Sequence, residues 1–463
     1  MNQKLTQGPI VPSLLRMAFP IIGMSFVQMT YNMVDMVWLG RIGSDAVAAV
    51  GTASFITWFG MALMLTTKSG VEITVSQEIG RENPGMASAF ASNSILLALV
   101  AAVTYGLLTY LTAGYLVGFF DLEKQSVNDM AIAYIRIIAI GSPLYYVNPT
   151  LAGIFTGAGN TQLPFRITST GLLLNIIVDP LFIFGMGPVP AMGSNGAALA
   201  TVLSQGLVAL LFYRKIILGY SVIQCSKETF TPAIKLLKRL MVLGFPVALH
   251  SALFAIFSIA IARVVSVWGA LPIALQSVGA QIEAVSWMSA TGFSTALATF
   301  TGQNYGAEKW QRIYTGFRVT VIISVLIGGV VTLAFLLFGR EIFAVFIPEP
   351  DAIRLGAIYL AILAVSQIFM CMEISTSGAF YGLGKTMPPS LISIVFTGTR
   401  IPVALLLAYG AFGIPGMGLE GVWWSVSLSS VVKGVLLCGW CYWILSRHPK
   451  RVEEQEKLAV GMT

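Results

Sequence analysis

Charge is what this sequence has least of. Asp, Glu, Lys and Arg make up 10% of the 463 residues while 56% are apolar, against roughly 25% charge in an ordinary soluble domain. A soluble globular fold is excluded. Histidine is nearly absent, with only His250 and His448, which excludes histidine-built metal and haem clusters. Cysteine is scarce as well: Cys225, Cys371, Cys438 and Cys441. The Cys438-Gly-Trp-Cys441 string has no second pair and lies in an apolar run, without the strand-and-helix setting of a redox thiol pair. No charged start followed by a short apolar stretch and a small-residue cleavage site opens the chain, so no cleaved signal peptide is expected.

What is present in abundance is long apolar sequence, with a mean hydropathy of +0.82. Only helices and closed barrels can cross a bilayer, and barrel strands alternate over about ten residues with a much weaker signal. Runs of this length predict helices. Twelve spans are expected near residues 14–39, 46–70, 86–112, 130–155, 164–185, 194–214, 240–265, 270–298, 314–338, 354–378, 388–410 and 420–445. The predicted class is an all-α polytopic membrane protein.

An even number of spans places both termini on one side. Of the 27 Lys and Arg, most fall on that side, from Lys4 and Arg16 through Lys235, Lys238 and Arg239 to Arg451 and Lys457. The opposite side receives Arg41, Lys124, Arg136, Arg263, Arg340 and Arg354. The positive-inside rule then makes the terminus side cytoplasmic. The net charge of +7 is a topology signal, and no nucleic-acid partner is implied.

The longest charged connection lies in mid-chain, and a repeat runs across it. Phe19-Pro20 recurs as Phe245-Pro246, Gly43 as Gly269, and Gln77-x-x-Gly80 as Gln303-x-x-Gly306, all at an offset of 226. At 225, Gly153 matches Gly378, Gly157-x-Gly159-x-Thr161 matches Gly382-x-Gly384-x-Thr386, and Pro164 matches Pro389. The division predicted is an N-terminal six-helix lobe at 1–218, a cytoplasmic linker at 219–239, a C-terminal six-helix lobe at 240–446 and a cytoplasmic tail at 447–463. Six spans per half give both halves the same orientation, which is a transporter architecture.

An ionisable residue inside a span is a candidate functional residue by default. Asp35 falls late in the first span, and Met24, Gln28, Tyr31 and Asn32 share its helical face. Asp179 follows Asn175 at i, i+4 in the fifth span, and Thr201 and Gln205 repeat that spacing in the sixth. If these three spans converge, two carboxylates share one partly desolvated pocket and titrate as a unit. That chemistry suits a proton or sodium coupling site. His250, Glu283, Glu373 and Arg400 are secondary candidates in the second half, where a glutamate paired to a buried arginine, or a histidine satisfied by a backbone carbonyl, is the plain structural reading. The halves are not equivalent: the repeat partners of Asp35, Glu373 and Arg400 are Ile261, Asn148 and Asn175. Pro20 and Pro246 fall inside spans and are candidate hinges.

The run Val34-Asp35-Met36-Val37-Trp38-Leu39-Gly40-Arg41-Ile42-Gly43, followed by Asp45-Ala46-Val47-Ala48-Ala49-Val50-Gly51, resembles the multidrug and toxic compound extrusion (MATE) family. The Phe-Pro pair at each half's start, the Gly157-x-Gly159 and Gly382-x-Gly384 turns and the 6+6 plan match it too, over essentially the whole chain. The resemblance implies twelve helices in two pseudo-symmetric six-helix bundles arranged as a V. Within the family the acidic cluster resembles the DinF-type branch, which places the coupling site at Asp35, Asn175, Asp179 and Thr201. The NorM-type branch instead uses a glutamate in span seven, where this sequence has His250, although Glu373 fits its acidic position in span ten.

The resemblance further implies a bacterial inner-membrane protein, not an enzyme, that needs no cofactor beyond a coupling proton or sodium ion. It would export amphipathic, often cationic, organic compounds as a monomer, with Met24, Gln28, Tyr31, Asn32 and Gln205 lining the cavity. A lipid or lipid-linked sugar flippase would need a strongly cationic cavity, to which only Arg400 and Lys68 could contribute. A major-facilitator plan would need its Gly-x-x-x-Asp-Arg loop between spans two and three, where Gly80-Arg81-Glu82-Asn83-Pro84 stands. No nucleophile and base sit together as an intramembrane enzyme requires.

Overall fold

The structure is a computed structural model describing residues 5–122, 124–185, 187–219, 231–410, 413, 415–449, 451 and 453. Cys225, most of the 219–239 linker and most of the 447–463 tail lie outside them. Twelve long helical rods run through the described residues: α1 Ile10–Ile42, α2 Ser44–Gly80, α3 Pro84–Gly118, α4 Gln125–Gly157, α5 Gln162–Phe184 and α6 Ser194–Ile217. The remaining six are α7 Ile234–Val265, α8 Ala270–Gly306, α9 Trp310–Phe346, α10 Pro350–Gly382, α11 Met387–Tyr409 and α12 Leu419–Ser446. Two rods are interrupted, α4 at Gly141 and α11 at Thr399, each with a proline soon after the break.

Each predicted span has its rod, longer than predicted at most ends. A helix of 33 residues such as α1 is about 50 Å long and outreaches the ~30 Å hydrocarbon core. Eleven rods are long and apolar enough to cross a membrane. The exception is α8, which has ample length at 37 residues but carries Gln276, Gln281, Glu283, Gln303 and Asn304. The protein is a multi-pass membrane protein of all-α class.

Two compact units emerge, and they are not divided by a single cut in the central linker. Residues 20–248 make one; residues 5–19 and those from 249 onward make the other. Thus α1 begins in the second unit and enters the first near Pro20, while α7 begins in the first and enters the second just past Pro246. Both helices continue through their prolines.

Apolar side chains lose little by facing lipid, so helix association in a membrane depends on close packing and interhelical hydrogen bonds. Each unit carries a glycine seam for this purpose. In the first, α2 and α4 meet at Gly153 and Gly157, where a Cβ would lie 2.9 Å from the Lys68 carbonyl oxygen and 2.7 Å from that of Glu72. In the second, α8 and α10 meet at Gly378 and Gly382, where a Cβ would run into the Ser294 and Ala298 carbonyl oxygens. These four glycines are the repeat pairs read from the sequence.

The turns that follow the seams match bond for bond. Gly159 and Gly384 take left-handed φ of 84° and 73°, a region glycine enters without a Cβ penalty. Their amides donate to Thr156 and Tyr381 at 2.8 Å, and those of Asn160 and Lys385 reach back to Phe155 and Phe380 at 2.9 Å, closing both helix ends.

A polar clasp holds the leading segment of each half. In the second unit the Leu5 amide donates to Gln303 Oε1 (3.2 Å), the Leu5 carbonyl accepts from Asn304 and Arg312, and Lys309 donates to the Thr6 carbonyl at 2.9 Å. In the first, the Ala233 amide donates to Asn93 Oδ1 (2.9 Å), and Arg239 donates to Gln77 Oε1 (3.2 Å). Gln77 and Gln303 are themselves repeat partners.

Candidate functional site

In the first unit α1, α4, α5 and α6 each bring part of one polar cluster. Asp179 sits one residue before Pro180 in α5 and is fully buried. Asn175, one turn earlier and 1% exposed, donates from Nδ2 to Asp179 Oδ1 at 3.1 Å. Thr201 of α6 donates to the Ala197 carbonyl of its own helix at 2.9 Å, and its hydroxyl shares a 3.1 Å bond with the Tyr31 hydroxyl of α1. Asp35, one turn after Tyr31, is half-buried. It lies within electrostatic reach of Asp179.

The cluster is rich in acceptors and poor in donors. Asp35 Oδ1, Asp179 Oδ2 and Asn175 Oδ1 are all buried without a hydrogen-bond partner, although buried polar atoms are normally satisfied. Among the described residues no basic side chain pairs with either aspartate. A set of hard oxygen acceptors around two carboxylates fits a proton or a hard cation.

Two tyrosines complete the cluster, and sequence reasoning missed both. Tyr134, which is 8% exposed, and Tyr145, which is half-buried, lie within reach of Asp35 and Asp179. They stand on either side of the break in α4. Neither belongs to a polar stripe with its neighbours, so periodicity reads them as apolar packing.

The cavity candidates spread from this centre. Met24 and Gln28 are half-buried and Asn32 is exposed, with Gln28 donating to Asn32 Oδ1 at 3.2 Å. Gln205 is held from α4: Asn148 Nδ2 donates to its backbone carbonyl at 2.9 Å and to its Oε1 at 2.8 Å.

The second-unit candidates form a different kind of cluster. Glu373, 6% exposed, pairs with Lys433 of α12 at 3.0 Å and accepts from Ser393 of α11 at 3.0 Å. Arg400 donates to Ser429 and Ser430, at 2.5 and 3.0 Å. Glu283 accepts from Gln367 Nε2 at 2.7 Å, and Ser286 donates to the same amide's Oε1 at 2.7 Å. The expected pairing of a glutamate with a buried arginine is therefore corrected. The direct partner is Lys433, while Arg400 is held by serine hydroxyls with Glu283 and Glu373 in its field. His250 of α7 lies within reach of Glu373 and Lys433.

Lys433 is a charge inside a span, but periodicity along one helix gives it no role, because its partner lies sixty positions away on another helix. Among the described residues Lys433 is paired with Glu373 and Arg400 lies in the field of Glu283 and Glu373, so neither stands as a lone cation of the kind a flippase of phosphate-bearing lipids would use.

Twelve membrane-length helices in a twofold repeat, with buried acids on facing helices, are the build of a membrane transporter. The chain belongs to the MatE family, whose model matches residues 20–181 and again 246–406. The two matches start 226 residues apart and end 225 apart, the offsets of the repeat.

Among relatives, the probable multidrug resistance protein NorM of Thermotoga maritima is 28% identical over 425 residues, covering 91% of this chain and 90% of that protein. YoeA of Bacillus subtilis, likewise named a probable multidrug resistance protein, is 26% identical and covers 95% of both. A FAD transporter of Shewanella oneidensis is 21% identical over 96% of both chains. Among solved structures, a MATE in complex with MaL6 matches with a TM-score of 0.88 at 24% identity, covering 96% of this chain and 98% of that one. A MATE in its bent conformation matches with a TM-score of 0.88 at 23% identity, covering 96% and 97%. At these identities the structures speak to the fold alone.

Proposed function

We propose that this chain is a multidrug efflux antiporter that exports amphipathic, often cationic, organic compounds in exchange for protons, with sodium as the alternative coupling ion. The observation that carries the reading is the unpartnered acceptor set of the first unit: Asp35, Asp179 and Asn175 each expose a buried oxygen to no donor. Such groups need a proton or a cation when they are closed off from water. The names of the Thermotoga and Bacillus relatives support drug efflux as the transported class.

In this reading the ionised pair favours the drug-holding state. Ion entry at Asp35 and Asp179, with Thr201 and Asn175 as neutral ligands, favours the drug-releasing one. Tyr31 and Gln28 share α1 with Asp35, so a change at the carboxylate reaches the cavity through one helix turn. Ion and drug then oppose each other, a negative coupling that is reciprocal by linkage. Pro20 supplies a site where α1 can bend, and alternating access of two lobes completes the cycle. The basic bias of one side supports a cytoplasmic location for both termini, and the Thermotoga and Bacillus relatives support a bacterial inner membrane. A repeat carried in one chain lets a monomer suffice.

The test is drug-triggered counterflow in proteoliposomes, with pH and sodium gradients imposed separately. Asp35→Asn should lower gradient-driven efflux at least ~10-fold, about 1.4 kcal/mol of coupling, while drug binding at equilibrium persists. Undiminished efflux in the variant would overturn the assignment of Asp35.

A further inference from the structure

We propose that the Lys433 ammonium is a built-in cation for the second unit. In this role it occupies at Glu373 the place an exchangeable ion takes at Asp35 and Asp179, and so confines ion coupling to the first unit. The inference rests on the coupling role given above to the first unit, and it adds the residue that fixes how many ion sites the chain has.

The geometry is that of a filled site. Lys433 Nζ lies 3.0 Å from Glu373 Oε1, and the two residues are 4% and 6% exposed. Ser393 Oγ donates to the same carboxylate oxygen from a third helix. An ammonium is a compact point charge with three donors, close to what a hydrated-stripped monovalent cation offers a carboxylate. It differs in being tethered, so it is present at high effective concentration and cannot leave.

The groups around it leave no charge for a second ion to answer. Glu373 and Glu283 stand against Lys433 and Arg400, with His250 beside the pair. A sodium ion that reached Glu373 would strand a buried ammonium, the costly way to break such a pair. Among the described residues the first unit has no equivalent tether. At an offset of 225, the counterpart of Lys433 is Val208, 3% exposed in an apolar core with Val75, Phe155 and Phe212. The counterpart of Glu373 is Asn148, which carries no charge.

The experiment uses the full chain in lipid nanodiscs, with Na+ itself as the probe and choline chloride to hold ionic strength constant. The readouts are equilibrium binding of radioactive sodium and the shift in Tm with NaCl or pH. In an Asp35→Asn background, binding should be absent with Lys433 in place. Adding Lys433→Gln should create a new response. This would be sodium binding of about one ion per chain or a pH-dependent Tm, with a shift of roughly 3 °C or more, removed again by Glu373→Gln.

No gain of either response on adding Lys433→Gln overturns the proposal. So does sodium binding by Asp35→Asn that Glu373→Gln abolishes while Lys433 is present. Sodium binding by Asp35→Asn that survives Glu373→Gln would instead count against the first-unit assignment. The gain or absence of gain on adding Lys433→Gln would still decide the role of the lysine. If Lys433→Gln does not fold, the neutral pair Lys433→Met/Glu373→Gln decides: wild-type ion-to-drug stoichiometry supports the proposal, and an altered one overturns it.

Discussion

The two units share a fold and a glycine seam but not their polar interiors. Positions Asp35, Asn175, Asp179 and Thr201 of the first unit correspond, at the repeat offsets, to Ile261, Arg400, Ala404 and Val426 of the second. Ile261, Ala404 and Val426 belong to a single apolar cluster with Val265, Ala408 and Val422. Where one unit holds carboxylates that each keep an unpartnered buried oxygen, the other holds hydrocarbon at three of the four positions. Its own carboxylates lie elsewhere and are paired. Duplication therefore preserved what packs the backbone, the glycines and turns, while the chemistry diverged helix by helix.

That contrast is open to attack from several directions. The most severe is Ala404→Asp, which places the first unit's carboxylate in the second unit's apolar cluster at a fully buried site. An intramembrane charge costs roughly 3 kcal/mol and overpacking about 1–3 more. The variant is expected to fail to accumulate as folded protein, measured by fluorescence-detected size exclusion. Well-folded Ala404→Asp at wild-type yield would show that the two interiors are interchangeable.

A smaller effect is expected from Glu373→Gln, which leaves Lys433 buried without its carboxylate. Breaking a buried pair from one side costs about 3–5 kcal/mol. Thermal unfolding in detergent should show a clear loss in Tm, with Lys433→Met in the same chain restoring most of it. Equal Tm values for the single and double variants would mean that the pair is not coupled.

The smallest effect belongs to Thr201→Val, which removes the interhelical bond to Tyr31. Such bonds average about 0.6 kcal/mol in membranes. Stability should barely change, while the sodium or pH midpoint of transport moves by a few-fold. An unchanged midpoint would remove Thr201 from the ion's surroundings.

Much of this organisation was legible in the sequence. Span length and hydropathy located every rod, because bilayer thickness sets a coarse and strong signal. The glycines and prolines announced the repeat, because they mark places where a Cβ or an amide hydrogen cannot be accommodated. Asp35 and Asp179 stood out by being charges where charge is rare. What lay hidden were relations between helices. Tyr134 and Tyr145 read as packing until the break in α4 set them beside the aspartates. Lys433 could not be matched to Glu373 by any spacing on a single helix. The exchange of α1 and α7 between units was masked because the charged linker is the obvious place to divide the chain.

That exchange has a consequence for how the protein is made. The first unit lacks residues 234–248 until translation has passed the central linker. The second unit takes residues 5–19 from a segment made before any of residues 20–248. Neither half can reach its final packing as an independent product of the ribosome, so folding cannot proceed strictly half by half in the order of synthesis. Two polypeptides split within 219–230 should be unstable when expressed apart and recover when expressed together, each supplying the helix end that the other is missing.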